Sequence, residues 1–201
     1  MSDDVLSPQV LLLPGWHYAA PGHWLNLWQA AHGYQLVAQH DWQRPLRGDW
    51  MMQLEEAVLQ STPAPTPVVT LVANGLGCLL VAAWAAHSCH SHRVKAALLV
   101  APLDAEREAL RARLASWSPI PWQPLPFPSR LLGSHDDPDC SFTRAQAMAD
   151  AWGAEFLDCA APGRPDAGSG AHAWPQGHAQ LVQLLGSGRP SARLDVGTAH
   201  P

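Results

Sequence analysis

The sequence predicts a doubly wound α/β fold with a mainly parallel sheet and helices on both faces. Three observations lead to this prediction. Short apolar runs are each stopped by glycine, proline or polar residues, as is typical of strands buried on both faces. Stretches with helical spacing lie between these runs. Strands that alternate with helices require right-handed crossovers, which place the helices on both faces of the sheet.

The first predicted strand is the apolar run 10–13, which Pro14 and Gly15 stop. Later runs share this pattern, and each is predicted to be a strand buried on both faces: 68–73, 96–101, 130–133 and 155–159. The stretches with helical spacing are 23–32, 50–60, 76–90, 142–152 and 178–185.

The loops at the carboxyl ends of the strands are predicted to form one site, because ligands of doubly wound sheets bind at that edge. These loops begin at Pro14, Asn74, Pro102, Ser134 and Ala160. The proline-rich segment 117–128 is expected to be an extended connection lying over the site. Residues 1–186 are predicted to form one domain, and the polar segment 187–201 a flexible C-terminal tail.

Composition narrows the classes of function. A chain of 201 residues suits a single domain, and its formal charge of −5 lacks the basic surface that nucleic acid binding requires. The apolar stretches are too short to span a bilayer, and the N-terminus has no secretory pattern. The four cysteines are scattered without zinc-site or disulfide spacing, which favours the reducing cytoplasm. We expect no cofactor, no metal, no nucleic acid and no membrane as partners.

The segment 66–78 is the most informative part of the chain. It reads as a buried strand that passes through a sharp turn into a helix, with small residues around Asn74 and Gly75. An Asn-Gly pair readily adopts positive φ, as such a turn requires. The amides of Leu76 and Gly77 would begin the helix, where a carboxylate or phosphate can be held.

Nine segments in order along the chain together resemble one family, the small serine hydrolases typified by retinoblastoma-binding protein nine. This is a compact branch of the α/β-hydrolases without a large lid domain. The resemblance therefore implies a single-domain α/β-hydrolase fold. The segments are LLLPGW (11–16), GHW (22–24), HDWQRPLRGDW (40–50), VANGLGC (72–78), AALLVAP (96–102), LPFPS (125–129), SHDDPDCS (134–141), WGAEF (152–156) and SGAHAWPQG (169–177).

Carried over by this resemblance, the acid of a catalytic triad is Asp137. The nucleophile position falls on Gly75, preceded by Asn74 where the family has histidine, and the catalytic histidine position falls on Arg164. A glycine has no group that can attack, and a guanidinium stays protonated and cannot relay a proton. A hydrolase triad requires both functions.

We therefore predict a catalytically impaired member, a pseudoenzyme that binds a small-molecule or anionic ligand, or a protein partner. We also predict that Asp137 and Arg164 form a charge-assisted ion pair in place of the acid and base. A vestigial pocket and a purely structural interaction module are alternatives. Another alternative is an active esterase of the family with a non-standard nucleophile.

Other residues could contribute to the site. Cys78 lies near the start of the elbow helix but is expected to be a buried packing residue. His17 is a candidate for lining the pocket, whereas His23 is expected to order the first loop. Trp16, Trp42 and Trp174 are placed near the pocket.

A run of histidines and one cysteine follows the elbow helix and could bind a metal. Its position at a helix end favours a structural role instead, because such side chains can bond to the exposed carbonyl groups. The run consists of His87, Cys89, His90 and His92.

Overall fold

A six-stranded, entirely parallel sheet organises the part of the chain that the computed structural model describes, residues 9–18, 21–61, 69–159 and 174–186. The strand order is β2-β1-β3-β4-β5-β6. This arrangement confirms the predicted doubly wound α/β fold. The strands are β1 (Gln9–Leu13), β2 (Gln35–Leu36), β3 (Val69–Gly75), β4 (Val94–Pro102), β5 (Ser129–Gly133) and β6 (Glu155–Asp158).

Six α-helices connect these strands within the described residues, and α4 is only one turn long. They are α1 (Trp24–His32), α2 (Arg47–Gln60), α3 (Leu76–Ala85), α4 (Glu108–Arg111), α5 (Phe142–Trp152) and α6 (Pro175–Gly186). None of the described helices is both long and apolar enough to cross a membrane.

The helices form two layers, one on each face of the sheet. Helices α2, α3 and α5 contribute to one apolar cluster, and α1 and α6 contribute to the other. Successive residues of β1 alternate between the clusters, with Leu11 and Leu13 in the first and Val10 and Leu12 in the second. Because both faces are covered, the central strands are largely apolar rather than alternating regularly with polar residues.

Tryptophan contributes strongly to both layers. Each buried indole removes roughly 150–250 Å² from water, which at ~25 cal/mol/Å² is worth several kcal/mol before conformational entropy is counted. Several of the N–H groups find carbonyl partners: Trp117 bonds to the oxygen of Pro45 at 2.9 Å and Trp152 to that of Pro121 at 2.7 Å. The indole N–H of the fully buried Trp24 has no hydrogen-bond partner.

Three elements differ from what the sequence predicted. The two-residue strand β2 was not predicted, because it is too short to show a period. Strand β6 is not buried on both faces, since Glu155 and Asp158 are exposed at the sheet edge. The elbow helix was predicted to reach His90 but ends at Ala85, and the chain then turns towards β4.

The proline-rich segment 117–128 lies along one face of the sheet rather than over the site. Its first residue, Trp117, is buried against Pro45 just before α2. Further along, the amide of Leu125 donates to the carbonyl of Trp152 at the end of α5. That end of α5 lies at the amino edge of the sheet, because α5 runs antiparallel to the strands. The segment therefore descends away from the carboxyl edge, and the prediction that it covers the site is wrong. The predicted tail, 187–201, lies outside the described residues.

Candidate functional site

The turn from β3 into α3 is a sharp elbow centred on Gly75. Gly75 has φ 55° and ψ −118°, a conformation that side-chain-bearing residues rarely adopt. The pairing of β3 with β4 also shifts register between Asn74 and Gly75. A sharp, strained strand-to-helix turn is the geometry that exposes a nucleophile at the top of the sheet in α/β-hydrolases. Here residue 75 is a glycine, which has only a hydrogen atom where the side chain of a nucleophile would be.

The first loop packs directly on this elbow through glycines. A Cβ on Gly77 would lie 2.4 Å from the carbonyl oxygen of Leu13, and one on Gly15 would lie 3.2 Å from that of Asn74. A Cβ on Gly75 would meet only the Cα of Gly15, at 3.6 Å, an ordinary van der Waals distance. The elbow therefore has room for a side chain at residue 75, although its backbone conformation would strain one.

The first turn of α3 begins at this edge of the sheet. Leu76 and Gly77 are both buried there. The N-terminal end of α3 has no side-chain cap and no acidic residue in its first turn. Unpaired amides at a helix N-terminus carry partial positive charge, which suits an anionic group.

The first loop brings aromatic side chains together beside the elbow. The indole N–H of Trp16 donates to the carbonyl of Gln43 at 3.3 Å, and the amide of His17 donates to that of Trp42 at 3.3 Å. The ring of His17 stacks on Trp16 with centroids 4.2 Å apart, and the Arg113 guanidinium lies 4.3 Å from the Trp16 ring centroid. The structure thus groups Trp16, His17 and Trp42, and the His17 side chain is exposed.

Backbone strain is concentrated at the same edge of the sheet. Four described residues other than glycine have positive φ, and all lie in segments that leave or face the carboxyl ends of the strands. Strain of this kind tends to collect at functional sites. The four are His17, Tyr18, Ala101 and Trp174.

The predicted acid, Asp137, is half-buried in the loop after β5. Its Oδ1 accepts from the amide of Asp139 at 2.8 Å, which closes a local turn. The carbonyl of Asp139 accepts from the amide of Asp104, and the carbonyl of Pro138 accepts from Arg107. The loops after β4 and β5 are thereby held together. The Ser134 hydroxyl accepts from the amide of Asp136, as expected for a turn residue.

Asp137 is also electrostatically coupled to the elbow helix. Burial, and then the neighbouring Cys140 and Asp137, raise the pKa of the Cys78 thiol well above its ordinary value. Cys78 is fully buried, with its sulfur 3.4 Å from the carbonyl oxygen of Val100 and 3.6 Å from that of Ala73. The prediction that Cys78 is a packing residue is confirmed.

Trp174 does not line the loops with the other predicted aromatic residues. It is 8% exposed and packs in the α1 and α6 layer, with ring centroids 5.1 Å from Trp24 and 6.1 Å from Trp28. The first turn of α6 packs tightly against the Trp174 ring, since a Cβ on Gly177 would lie 2.2 Å from that ring. Its predicted place in the pocket is corrected to a packing role. His23, in contrast, caps α1 by accepting from the amide of Leu25 and so orders the first loop, as predicted.

Arg164, at the position that the resemblance gives to the histidine, falls outside the described residues. The ion pair of Asp137 with Arg164 therefore stays a prediction.

A network centred on Arg144 was not predicted from the sequence. The Arg144 Nη2 atom lies 2.5 Å from Glu106 Oε2 and 3.4 Å from Asp104 Oδ1. Its guanidinium also lies 4.6 Å from the ring centroid of Trp122. Burial, followed by the charges of Asp104 and Asp137, raises the pKa of nearby Cys140 to about 12. Arg144 is distant in the chain from Asp104 and Glu106, so the only local signal was the concentration of charge after β4.

The run after α3 holds no metal-type cluster. Within the described residues no group of three or more His, Cys, Asp or Glu side chains is arranged to bind a metal ion. His87 Nδ1 lies 2.8 Å from the carbonyl oxygen of Ala83 near the end of α3, in agreement with the predicted helix-end role.

The comparisons with known proteins agree with this geometry. A family model described as Serine hydrolase matches residues 10–183. None of the curated proteins compared with the chain matches it.

Solved structures resemble the whole described fold. A protein described as a YdeN-like hydrolase from Pectobacterium atrosepticum is 26% identical, with a TM-score of 0.76, and the match covers 90% of this chain and 92% of that one. The ydeN gene product of B. subtilis is 17% identical, with a TM-score of 0.68 and coverage of 89% and 98%. Esterase 2 of Thermogutta terrifontis, solved phosphonylated by cyclosarin, is 17% identical, with a TM-score of 0.62 and coverage of 91% and 85%.

Proposed function

The chain belongs to the serine hydrolase family, and from this premise we propose that it is a member with a degenerate triad that binds a ligand without turning it over. Within the family we place it in the compact branch typified by retinoblastoma-binding protein nine, on the nine segments that resemble that branch. The ligand is a small molecule carrying a carboxylate or phosphate. A protein partner that presents such a group is the second form of the same proposal.

The observation that carries this proposal is Gly75 at the apex of the elbow. The backbone there has the strained geometry of a nucleophile elbow, with φ 55° and ψ −118°, and no side chain. A serine at this position would supply the attacking oxygen, and a histidine would take its proton. With Arg164 at the histidine position, the chain supplies neither function from those two positions.

The groups that remain around the elbow suit the binding of an anionic ligand. The first turn of α3 offers its amides to an anion, and Asp137 sits in the neighbouring loop after β5. Arg164, which follows β6 in the sequence, would add a fixed positive charge. Binding without turnover is the behaviour expected when the electrostatic part of a hydrolase site persists without its reagent.

An active esterase with another nucleophile gains no support from the residues near the elbow. Cys78 is fully buried and its thiol contacts two backbone carbonyls, so it cannot reach a substrate without unpacking. The raised pKa of Cys78, caused chiefly by burial, also disfavours the thiolate that would attack. Ser134 is engaged in its own turn.

Labelling with a fluorophosphonate probe, together with hydrolysis of p-nitrophenyl acetate, tests the proposal. We expect no stoichiometric labelling and no ester turnover above the background reaction. Stoichiometric labelling of any one residue, or multiple turnovers per protein molecule, would establish the esterase alternative instead.

We also propose that the protein works in the cytoplasm. All four of its cysteines are free thiols, Cys78, Cys89, Cys140 and Cys159, as suits a reducing compartment.

A further inference from the structure

We propose that Cys89, His90 and Glu55 form a second reactive site, a nucleophilic thiol that exchanges with small organic disulfides to form a mixed disulfide. This site is independent of the elbow. It follows the C-terminal end of α3, whereas Gly75 precedes the N-terminal end, and the ten-residue helix separates them by ~15 Å.

The carboxylate of Glu55 is held in place by several hydrogen bonds. Its Oε2 accepts from the Trp84 indole at 2.6 Å and from the Ser88 hydroxyl at 2.7 Å. Its Oε1 lies 2.5 Å from His90 Nδ1. Partial burial acts to raise the pKa of Glu55, but the hydrogen bonds from Ser88, His90 and Trp84 outweigh it and lower the pKa, so Glu55 is a carboxylate at neutral pH.

Glu55 orients the imidazole of His90. Because Nδ1 faces a carboxylate, that nitrogen carries a proton and Nε2 is left with a free lone pair when the ring is neutral. The backbone around His90 is held as well: its amide donates to the Ser88 hydroxyl at 3.0 Å, and His92 Nδ1 lies 2.9 Å from the carbonyl oxygen of Cys89. His92 is the other titratable ring facing His90, with centroids 6.1 Å apart.

Cys89 supplies the nucleophile. Its side chain is exposed, and its sulfur lies 3.6 Å from His90 Nδ1 and 3.9 Å from Nε2. A thiol beside an imidazole, which a carboxylate orients in turn, is the general arrangement of an activated nucleophile. Among the other cysteines, Cys78 and Cys140 are buried, and neither has such a base.

A cavity beside this cluster offers room for the reagent. Glu55 also lines a shallow groove of about 390 Å³ along α2, together with Met52 and Leu59. These two apolar side chains are 70% and 45% exposed. Neither Cys89 nor His90 lines this groove, so Glu55 is the residue that the groove and the cluster share.

The exchange balances without any further reagent. In the exchange the Cys89 side chain first rotates towards His90 Nε2, which takes its proton, and the thiolate then attacks one sulfur of the disulfide. A new S–S bond forms as the old one breaks, so the Cys89 sulfur is oxidised and the departing sulfur is reduced. The leaving thiolate takes the proton from His90 and departs as a thiol.

The test is the rate at which oxidised glutathione modifies the full-length protein at pH 7, followed by intact mass and peptide mapping. We expect one adduct per chain, on Cys89, forming at least about tenfold faster than on free N-acetylcysteine. In the variant His90→Gln most of this rate advantage over N-acetylcysteine should be lost, whereas Cys159→Ser should leave the rate unchanged.

Several outcomes would overturn the proposal. They are modification first at another cysteine, no modification, a Cys89 rate equal to that of N-acetylcysteine, or an unchanged rate in a folded His90→Gln protein. The comparison with N-acetylcysteine needs no variant, so the proposal stays testable even if His90→Gln does not fold. Ester hydrolysis is not involved, so failure here is distinct from failure of the proposed function.

Discussion

Gly77 and Leu13 are in such close contact that the start of α3 packs directly against the backbone at the end of β1. A Cβ on Gly77 would lie 2.4 Å from the carbonyl oxygen of Leu13, closer than real Cβ atoms approach backbone oxygens. The contact places the first loop against the elbow and so fixes the distance between Trp16 and the amides of α3. The site is therefore built by backbone packing as much as by its side chains.

The substitution Gly77→Ala tests this packing. The added methyl group must push α3 away from β1, because its neighbour is backbone and cannot rotate aside. We expect the free energy of unfolding to fall by about 1–3 kcal/mol or more, measured by urea denaturation.

Gly48→Ala is the matched control. Gly48 lies in the first turn of α2, and a Cβ there would meet no atom within 4 Å. This substitution should be neutral or should stabilise the protein by up to ~1 kcal/mol, because alanine is the better helix former. Equal effects of the two substitutions would contradict the packing argument.

Restoring the nucleophile tests the degenerate triad. Gly75→Ser should fold, because the only close neighbour of the new Cβ is 3.6 Å away. Its positive φ should cost about 1–3 kcal/mol of stability. The single variant should react poorly with a fluorophosphonate, since residue 164, the position that the resemblance gives to the histidine, is an arginine and cannot activate the hydroxyl.

The double variant Gly75→Ser with Arg164→His completes this prediction. Adding the base should raise the labelling rate at least about 100-fold over Gly75→Ser alone. A single variant that labels as fast as the double variant would show that residue 164 is not the base position.

The central part of the fold could be predicted because its signals are local. Strands β1, β3 and β4 are covered on both faces, so each appears in the sequence as an apolar run. Strand β2 has only two residues and exists because β1 offers it a partner, which no local pattern reveals. The end of α3 was overestimated for a related reason, since Glu55 of α2 binds Ser88 and His90 in the following turn.

The site was predictable where it depends on backbone, and less so where it depends on side-chain packing. Small residues around Gly75 indicated the elbow correctly. Trp174 was placed near the pocket from its position in the chain, but the chain turns there at φ 42° and lays the ring against Trp24 and Trp28. The Arg144 network joins residues about 40 positions apart, so its geometry could not be read from spacing.

Anion binding at the elbow should be visible as thermal stabilisation. Inorganic phosphate is the probe, and sodium chloride at equal ionic strength is the control. If phosphate binds with a dissociation constant near 1 mM, a tenfold excess should add about 1.4 kcal/mol and raise the melting temperature by a few degrees. Arg164→Gln should reduce the shift. A rise that chloride reproduces would indicate a general salt effect.

The Arg144 network should contribute more to stability than a surface pair does. Arg144→Met leaves the carboxylates of Asp104 and Glu106 close together without their cation. These side chains are only 19% and 25% exposed, so we expect a loss of about 1–3 kcal/mol.

Arg44→Met is the control for Arg144→Met. Arg44 also faces a carboxylate, Asp41, at 3.7 Å, but its side chain is 90% exposed. Its removal should change stability by less than about 0.5 kcal/mol. Similar losses in the two variants, measured by denaturation at one ionic strength, would mean that burial does not strengthen the Arg144 network.

A stacked pair of histidines should make the contact between α1 and α6 sensitive to pH. His178 of α6 stacks on His32 of α1 with centroids 4.1 Å apart, and its Nε2 lies 2.9 Å from the Tyr34 hydroxyl. Burial, and then the charge of His32, lower the pKa of His178 below its ordinary value of 6.5. The unfolded chain therefore binds a proton at this position more readily than the folded protein does.

The sign of the effect follows from that difference in proton binding. Stability from a neutral His178 is fully present above the unfolded pKa near 6.5, and it is lost as pH falls towards the lower folded pKa. We expect the melting temperature to fall between pH 7.5 and 5.5, and to fall less in His178→Gln. The stabilisation from Glu55 changes in a different pH range. The pKa of Glu55 is lowered from 4.5, so this stabilisation is lost only at more acidic pH. An identical decline in the parent and His178→Gln between pH 7.5 and 5.5 would assign the pH dependence to other groups.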